Sequence, residues 1–282
     1  MTLPNFLIIG SQKAGTSWLA KQLQKHPDVF MPKREIHYFD KSYNFQKGLS
    51  WYEEQFEEAK NQKAIGEKTP DYLWANGQGC EGHLPNVHQN IHSILPDAKL
   101  IIVLRNPVKR AISAVHHIIR SGRISPLNFN NIDELLIGKK HYLLEGHGVI
   151  DYGRYFRQIE DYQEYFTPSQ ILILIFEEDI VKDPVIGLKK TCEFLNIDNN
   201  FKFQGLDQKV NTSDVPIIAL MLIYYIPLAK HFILRLQRYL PKTKYPYPSQ
   251  STIRKLYEIY SEDNEKLFDF LGRRIEDWEL LE

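Results

Sequence analysis

The chain has 282 residues and is poor in the features that define several common protein classes. Its two cysteines, Cys80 and Cys192, lie far apart and outside any paired motif, which argues against a disulfide framework and against a zinc site. The 35 basic residues equal the 35 acidic ones, so no overall positive field exists to hold nucleic acid. The apolar stretch without a charged residue at residues 215–229 is shorter than the roughly 20 apolar residues that span a bilayer.

The beginning of the sequence and its composition predict a soluble catalytic domain. The first residues, MTLP, lead directly into an apolar run without the basic segment that opens a secretory signal. A hydrophobic content of 43% and a charged content of 25% are typical of a soluble globular protein. No repeat or linker interrupts the chain, so we expect a single domain over residues 1–282 in the reducing cytoplasm.

Short apolar runs alternate with helical patterns, which predicts an α/β fold with a P-loop-like, open, largely parallel sheet and helices on both faces. The runs KLIIVL and ILILIF are unbroken, as is typical of strands buried on both faces. We expect strands at residues 6–9, 64–67, 100–104 and 171–176. Three helices have clear start and stop signals: one after Asn106-Pro107 that reaches Arg120, one after Asp183-Pro184 that ends near Leu195, and one after Ser249 or Ser251 that reaches Leu271.

The loop GSQKAGTS, residues 10–17, follows the first predicted strand and precedes a predicted helix. A strand, a glycine loop and a helix N-terminus form an anion site, since free N–H groups and the helix dipole favour negative charge. The two glycines keep the spacing of the nucleotide-triphosphate motif G-x-x-x-x-G-K-[ST]. Thr16, however, stands where that motif has its lysine, and Lys13 lies three positions earlier. ATP and GTP are therefore disfavoured, although an ordinary glycine turn explains this stretch taken alone.

Two further segments carry clustered charged residues. In KREIHYFD, residues 33–40, Glu35 and His37 share a side if the chain is extended. Glu35 can then act as general base toward an acceptor hydroxyl with His37 assisting, or it is surface charge beside two basic residues. In GEKTPDY, residues 66–72, Lys68 lies at the carboxyl end of a strand, where it reaches a bound anion or serves only solubility.

The segment LRNPVKRAIS, residues 104–113, predicts a second phosphate contact. Arg105 ends a predicted strand just before a helix N-terminus, where a guanidinium can bind phosphate through two nitrogens. Ser113 lies seven residues after Asn106, which is about two turns further along the same face of the following helix. Arg105 and Ser113 can therefore hold one phosphate group, while the glycine loop holds another. A nucleotide with two separate phosphate groups is implied.

Taken together, these segments resemble the sulfotransferases that use 3′-phosphoadenosine 5′-phosphosulfate (PAPS), especially the heparan-sulfate glucosaminyl 3-O-sulfotransferase branch and its bacterial relatives. The resemblance runs nearly end to end, through QKAGTSWL, EIHYFD, GEKTPDYL, LRNPVKRAISAV, ILILIFEEDIVKDP and FLGRRIEDW. It implies that Glu35 is the general base, with His37, Asp40 and Lys68 around the reacting centre. It also implies a set of PAPS-binding residues: Lys13, Ala14, Gly15, Thr16, Ser17, Trp18, Arg105 and Ser113. No metal is expected.

Two segments depart from the pattern of this family. The family closes its 3′-phosphate site with a Lys-Gly-Arg loop, where this chain has PKTKYP, so Lys242 and Lys244 are the candidates to replace it. The disulfide-pinned hairpin of the Golgi enzymes is missing, and the apolar residues 215–240 occupy that region. Because that region shapes the acceptor cleft, heparan sulfate itself cannot be carried over as the substrate, and we expect a hydroxyl-bearing acceptor, carbohydrate or lipid-linked.

Other functions and other placements of residues 215–240 stay open at this level. A P-loop kinase of small molecules would share the fold but needs Mg²⁺ and ATP, and a non-catalytic protein could keep only the nucleotide pocket. The run at 215–229 leads into Lys230, His231, Arg235 and Arg238, which suits a peripheral contact with a membrane surface. The alternatives are a lid over an apolar acceptor, a helix packed on the domain's own core, or a helix packed on a second subunit.

Overall fold

The computed structural model describes residues 2–76, 82–144, 146–208, 215–241 and 244–280. Its centre is a five-stranded sheet in which every pairing is parallel: β1 Phe6–Gly10, β2 Val29–Phe30, β3 Ala64–Lys68, β4 Lys99–Leu104 and β5 Ile171–Ile175. The strand order is β2-β3-β1-β4-β5. After β1 the chain builds β2 and β3 on one side of it and then crosses to build β4 and β5 on the other side. The direction in which strands are added therefore reverses at β1. Ligands of open α/β sheets bind at such a point.

Helices surround this sheet. The described residues form the α-helices α1 Thr16–Leu23, α2 Ser42–Phe45, α3 Gly48–Glu54, α4 Val87–Ile94, α5 Pro107–Arg120, α6 Ile132–Leu136, α7 Tyr155–Gln163, α8 Pro184–Leu195, α9 Ile217–Tyr225, α10 Lys230–Leu236 and α11 Gln250–Leu271. One set of buried side chains packs β1 and β4 against α4 and α7, and another packs the opposite face against α1 and α8. A third cluster joins α5 to α11. The predicted α/β fold with helices on both faces is confirmed.

The four predicted strands are confirmed to within one residue at each end. The strand β2 was not predicted. It has only two residues, too few to produce an apolar run, and it exists because Val29 and Phe30 pair with Ala64 and Ile65 of β3. A strand of this length depends on its neighbour rather than on its own composition.

The predicted helix boundaries follow from caps that the structure contains. The Asn106 side chain accepts hydrogen bonds from the backbone N–H groups of Val108 and Lys109, each at 3.1 Å, and Pro107 begins α5. Ser249, rather than Ser251, caps α11 by accepting from the N–H of Thr252 at 3.4 Å. Gly272 ends α11 in a left-handed conformation with φ 66°. Local cap chemistry thus defines these helices.

Residues 215–240 form two short helices, α9 and α10, joined by a turn at Pro227–Ala229. The stretch is thus neither one continuous helix nor fully buried, although Leu220 of α9 packs into the cluster that joins α5 and α11. Among its helical residues only Ala219, Leu220 and Ile233 are buried, while Leu228 and Phe232 are 99% and 66% exposed. Within the described residues, no helix is both long enough and apolar enough to cross a membrane.

Candidate active site

The glycine loop between β1 and α1 adopts the shape of an anion cradle. Lys13 and Gly15 both have left-handed backbones, with φ 70° and 94°, and α1 begins directly afterwards at Thr16. A non-glycine residue in this region carries conformational strain, which is tolerated mostly where the surroundings impose it. A side chain at Gly15 is excluded twice over, because its Cβ would also come within 2.7 Å of Phe176. The first N–H groups of α1 therefore point into an open site at the sheet edge.

Arg105 connects this loop to the carboxyl end of β4. Its Nη1 donates to the carbonyl of Lys13 at 2.9 Å, and its guanidinium lies 4.9 Å from the centre of the Phe176 ring. The hydroxyl of Tyr155 donates to the Arg105 carbonyl at 2.7 Å and so fixes the backbone at this point. The Arg105 Nε is buried and has no partner among the described atoms. A buried donor left unpaired in a cationic cleft is suited to an anionic ligand.

A cavity of about 980 Å³ opens beside the loop and Arg105. Helix α5 lines it with Ser113, His117 and Arg120, which are spaced four and three residues apart and therefore share one helix face. Its remaining polar lining includes Gln12, Lys41, Asp71, His83, Arg123 and His147. An apolar portion is formed by Trp18, Phe176, Ile180, Val181 and Leu206. The cavity thus combines positive charge with an apolar wall.

Four charged side chains form a continuous chain at the rim of this cavity. Lys68, at the end of β3, pairs with Glu35 and also donates to the Ser17 hydroxyl at 3.3 Å. The second Glu35 oxygen lies 3.3 Å from His37 Nε2. On its other side, His37 Nδ1 lies 3.0 Å from a carboxylate oxygen of Asp40, which is fully buried. The predicted general base is therefore placed between two cations.

These contacts hold Glu35 and His37 in their charged forms. Although burial raises the pKa of Glu35, the hydrogen bond from His37 and the charge of Lys68 together lower it to about 2. Burial lowers the pKa of His37, but its hydrogen bonds to Asp40 and Glu35 outweigh this and raise it to about 10. A histidine that is already protonated near neutral pH has no free nitrogen to accept a proton. In this charged form His37 can donate to Glu35 and orient it, and its assisting role stays a prediction.

Burial and neighbouring positive charge lower the pKa of two other groups in the cavity, Lys13 and His117. Burial, followed by the charges of Arg120 and Arg105, lowers the pKa of Lys13 to about 8. Burial and the charges of Lys13, Arg123 and Arg120 lower the pKa of His117 to about 4. At neutral pH Lys13 is therefore mostly charged and His117 neutral. Groups that repel each other's protons in this way gain from an anion bound between them.

A buried hydrogen-bond network behind β3 supports the segment that contains Glu35 and His37. The Glu67 carboxylate accepts from the hydroxyls of Tyr52, Thr69 and Tyr72 at 2.7, 2.8 and 3.0 Å. Burial raises the pKa of Glu67 to about 7 despite these donors. The Tyr72 hydroxyl in turn accepts from the backbone N–H of Tyr38 at 2.9 Å. The segment that contains Glu35 and His37 is thus anchored to the strand that contains Lys68.

The structure brings most of the predicted site residues to this one cavity. The loop residues Lys13, Gly15, Thr16, Ser17 and Trp18 line it, together with Glu35, His37, Arg105 and Ser113. Ala14 is fully buried beneath the loop, and Lys68 reaches the site through Ser17 and Glu35. Lys244 is exposed and does not line the cavity, while Lys242 lies outside the described residues.

Sequence reasoning did not identify His117, Arg120 and Arg123 as lining residues. For His117 and Arg120 a signal was present, because they continue the face of the α5 helix that starts at Ser113. Lys41, His83 and His147 gave no comparable signal. They reach the cavity from loops whose course depends on tertiary packing.

The chain belongs to the sulfotransferase domain family, whose family model matches residues 3–213. The resemblance expected from the motifs is thereby confirmed. A mouse heparan sulfate glucosamine 3-O-sulfotransferase 3B1 is 29% identical over 96% of this chain and 64% of its own length. The membrane-associated sulfotransferase kil1 of Dictyostelium discoideum is 41% identical over 41% of this chain and 23% of its own length. The chain thus spans less than two thirds of either relative.

A solved structure agrees with this assignment at the level of the fold. The sulfotransferase from Alicyclobacillus acidocaldarius superposes with a TM-score of 0.67 at 22% identity, over 99% of each chain. The superposition thus extends over nearly the whole chain at the level of the fold.

The residues present fit a nucleotide with two separate phosphate groups. The left-handed loop and Lys13 suit one phosphate, the unpaired Arg105 donor and Ser113 suit a second, and the apolar wall at Trp18 and Phe176 suits a flat base.

A metal ion would need three or more ligand atoms close together. In the described part of the chain, the only such group is His37, Asp40 and Asp71, whose potential ligand atoms lie within 4.8 Å of one another. The hydrogen bond between His37 and Asp40 accounts for two of these groups. The expectation of no metal stays a prediction.

Proposed function

We propose that this protein transfers the sulfuryl group of PAPS to an acceptor hydroxyl and releases adenosine 3′,5′-bisphosphate (PAP). One observation carries this proposal: an anion cradle, a second phosphate contact and a positioned carboxylate meet at a single cavity. Lys13, Gly15, Thr16 and Ser17 would hold the 5′-phosphosulfate. Arg105 and Ser113 would hold the 3′-phosphate. When bound, PAPS supplies the sulfuryl group and a good leaving group.

Glu35 would remove the proton from the acceptor hydroxyl. Its pKa of about 2 keeps it ionised at neutral pH, but the same low value makes it a weak base while Lys68 and His37 both neutralise it. Lys68 lies between Glu35 and Ser17 of the loop. An anion in the loop competes with Glu35 for this ammonium group, and the basicity of Glu35 rises as the lysine turns away. The proposal thus assigns Lys68 two linked roles, stabilising charge on the donor and activating the base.

We propose a carbohydrate hydroxyl, free or lipid-linked, as the acceptor. The names of several relatives refer to heparan sulfate glucosamine, and one relative is described as membrane-associated. Besides Glu35 and His37, the cavity is lined by His83, Arg123 and His147, and these polar groups suit hydroxyls or anionic substituents of an acceptor. A small-molecule kinase is not favoured, because the loop lacks the lysine after its second glycine and the family is that of sulfotransferases.

Ligand-induced thermal stabilisation tests the nucleotide assignment. PAP should raise the melting temperature in a concentration-dependent way, whereas ATP with Mg²⁺ should have little effect, because stabilisation follows the ratio of ligand concentration to dissociation constant. Arg105→Ala should lose most of the PAP shift and Arg105→Lys should recover part of it, since lysine keeps the charge but not the two-nitrogen contact. Equal stabilisation by ATP with Mg²⁺ would refute the assignment. Mass spectrometry of glycan and lipid pools incubated with PAPS then identifies the sulfated acceptor.

A further inference from the structure

Helix α9 has an apolar surface on the side that faces away from the domain. Ala219 and Leu220 are buried, and Leu220 belongs to the cluster that joins α5 and α11. The outer side is equally apolar, with Ile218 at 49%, Leu222 at 40% and Tyr225 at 58% exposure. A surface helix of a soluble protein ordinarily turns a polar face outward. An outer face of isoleucine, leucine and tyrosine is therefore unusual.

The exposed apolar surface continues beyond α9 through the turn and into α10. Its further members are Ile226, Leu228, Phe232 and Leu236, of which Leu228 is 99% exposed. We call residues 217–236 the apolar platform. Eight of the 19 large apolar residues that are exposed in the described chain lie in this platform. Scattered exposed apolar residues need no explanation, whereas such a contiguous group marks an interaction surface.

The charge around the platform indicates what kind of surface it meets. The whole chain has equal numbers of acidic and basic residues, but residues 215–257 contain no Asp or Glu and seven Lys or Arg. Lys230 and Arg235 are exposed on α10, beside Phe232. Apolar side chains interleaved with cations and free of acidic groups complement a lipid interface with anionic headgroups. A protein partner gives no comparable reason for the complete exclusion of acidic residues over such a length.

The platform adjoins the rim of the active-site cavity. The Tyr225 hydroxyl lies 3.3 Å from the Ser125 hydroxyl, and Tyr224 packs against the turn at Gly122, just after α5. Arg120 and Arg123, on either side of that glycine, line the cavity. A surface that receives the platform therefore also lies next to the cationic side of the cavity.

We propose that the apolar platform docks this protein onto the interface of an anionic lipid bilayer, with the apolar side chains among the headgroups and Lys230 and Arg235 at the lipid phosphates. This inference concerns membrane attachment and stands apart from the transfer reaction. The short length of α9 and α10 suits attachment in the plane of the interface, since neither helix is long enough to span a bilayer.

Flotation of the full chain with vesicles tests the attachment. The wild-type protein should float with vesicles that contain phosphatidylglycerol and phosphatidylcholine, and much less with phosphatidylcholine alone. Lys230→Glu with Arg235→Glu should weaken binding to the anionic vesicles by more than about tenfold. Leu228→Ser with Phe232→Ser should abolish it, because these exposed side chains supply the apolar contact. Leu49→Ser with Lys202→Glu, at exposed positions outside the platform, should float like the wild type.

Three results would overturn the proposal. One is failure of the wild type to float with anionic vesicles. Another is flotation that the charge reversal leaves unchanged. The third is a dimer in sedimentation analysis that the serine variant dissociates while flotation is absent, since a second copy would then cover the platform. The PAP-induced melting shift is measured on the same proteins: flotation without that shift contradicts only the proposed function, and the shift without flotation contradicts only the membrane attachment.

Discussion

The charged side chains at the rim of the cavity and the apolar platform differ in how their residues are packed. At the rim, Glu35 and His37 are each held by two partners of opposite charge, and the supporting carboxylates Asp40 and Glu67 are fully buried. On the platform, large apolar side chains are exposed, and Leu228 is almost entirely in solvent. At the rim, burial and ion pairing shift the pKa values of the charged groups. On the platform, the apolar side chains stay exposed and are available to contact another surface.

The largest effect is expected at the rim. Glu35→Gln should lower sulfate transfer from PAPS by 10²–10⁴-fold, the usual contribution of a general base, while the PAP-induced melting shift stays normal. The replacement keeps the size of the side chain and removes only its charge and proton affinity. The measurement is the rate of sulfate incorporation into the acceptor pool, compared at saturating PAPS. Activity within a few-fold of the wild type would place the base elsewhere.

Lys68→Ala is the matched variant for this prediction, because it removes the cation and leaves the base. It should lower turnover and also raise the pKa of Glu35 from its value of about 2, since the charge and hydrogen bond of Lys68 both lower it. Carboxyl titration followed by NMR reports that change directly. An unchanged pKa would show that the ion pair seen at the rim does not persist in solution.

A smaller, pH-dependent effect is expected at the glycine loop. The pKa of Lys13 in the free protein is about 8, so the lysine is charged below that pH and loses its proton above it. PAP affinity should therefore fall by about tenfold between pH 7 and pH 9, if only the charged form binds. Lys13→Arg should flatten this dependence, because a guanidinium stays protonated across the range. Calorimetric titration at several pH values checks this, and an equally steep loss in the arginine variant would assign the dependence to another group.

The smallest effect is expected on the platform. Leu228→Ser should change the free energy of unfolding by less than about 0.5 kcal/mol, as for surface positions in general, because Leu228 is 99% exposed. Leu220→Ala, on the buried side of the same segment, should cost about 2–5 kcal/mol. Urea denaturation of both variants provides the comparison. A large loss of stability from Leu228→Ser would mean that the platform is covered by protein in solution and would weaken its interpretation as a free surface.

Features that depend on neighbouring residues in the chain could be predicted from the sequence. The boundaries of α5, α8 and α11 follow from caps and prolines, and four strands follow from unbroken apolar runs. The loop after β1 was identified as an anion site because a glycine pattern between a strand and a helix is local chemistry. The convergence of the loop with Glu35, Lys68 and Arg105 was expected from the rule that ligands bind at strand ends. The assignment of individual roles to these residues stays a prediction.

Other features were decided by the tertiary structure, because they depend on what lies around a side chain. The low pKa of Glu35 and the raised pKa of His37 arise from contacts among residues 35–40 and with the segment at the end of β3 that contains Lys68, and the spacing of these residues in the sequence does not reveal them. The strand β2 exists only through its pairing with β3. The composition of residues 215–240 suggested a buried or an interfacial helix equally well. Whether an apolar helix is buried depends on whether the rest of the domain covers it, which the composition of the helix does not reveal. In the structure the outer face of α9 is not covered by the domain.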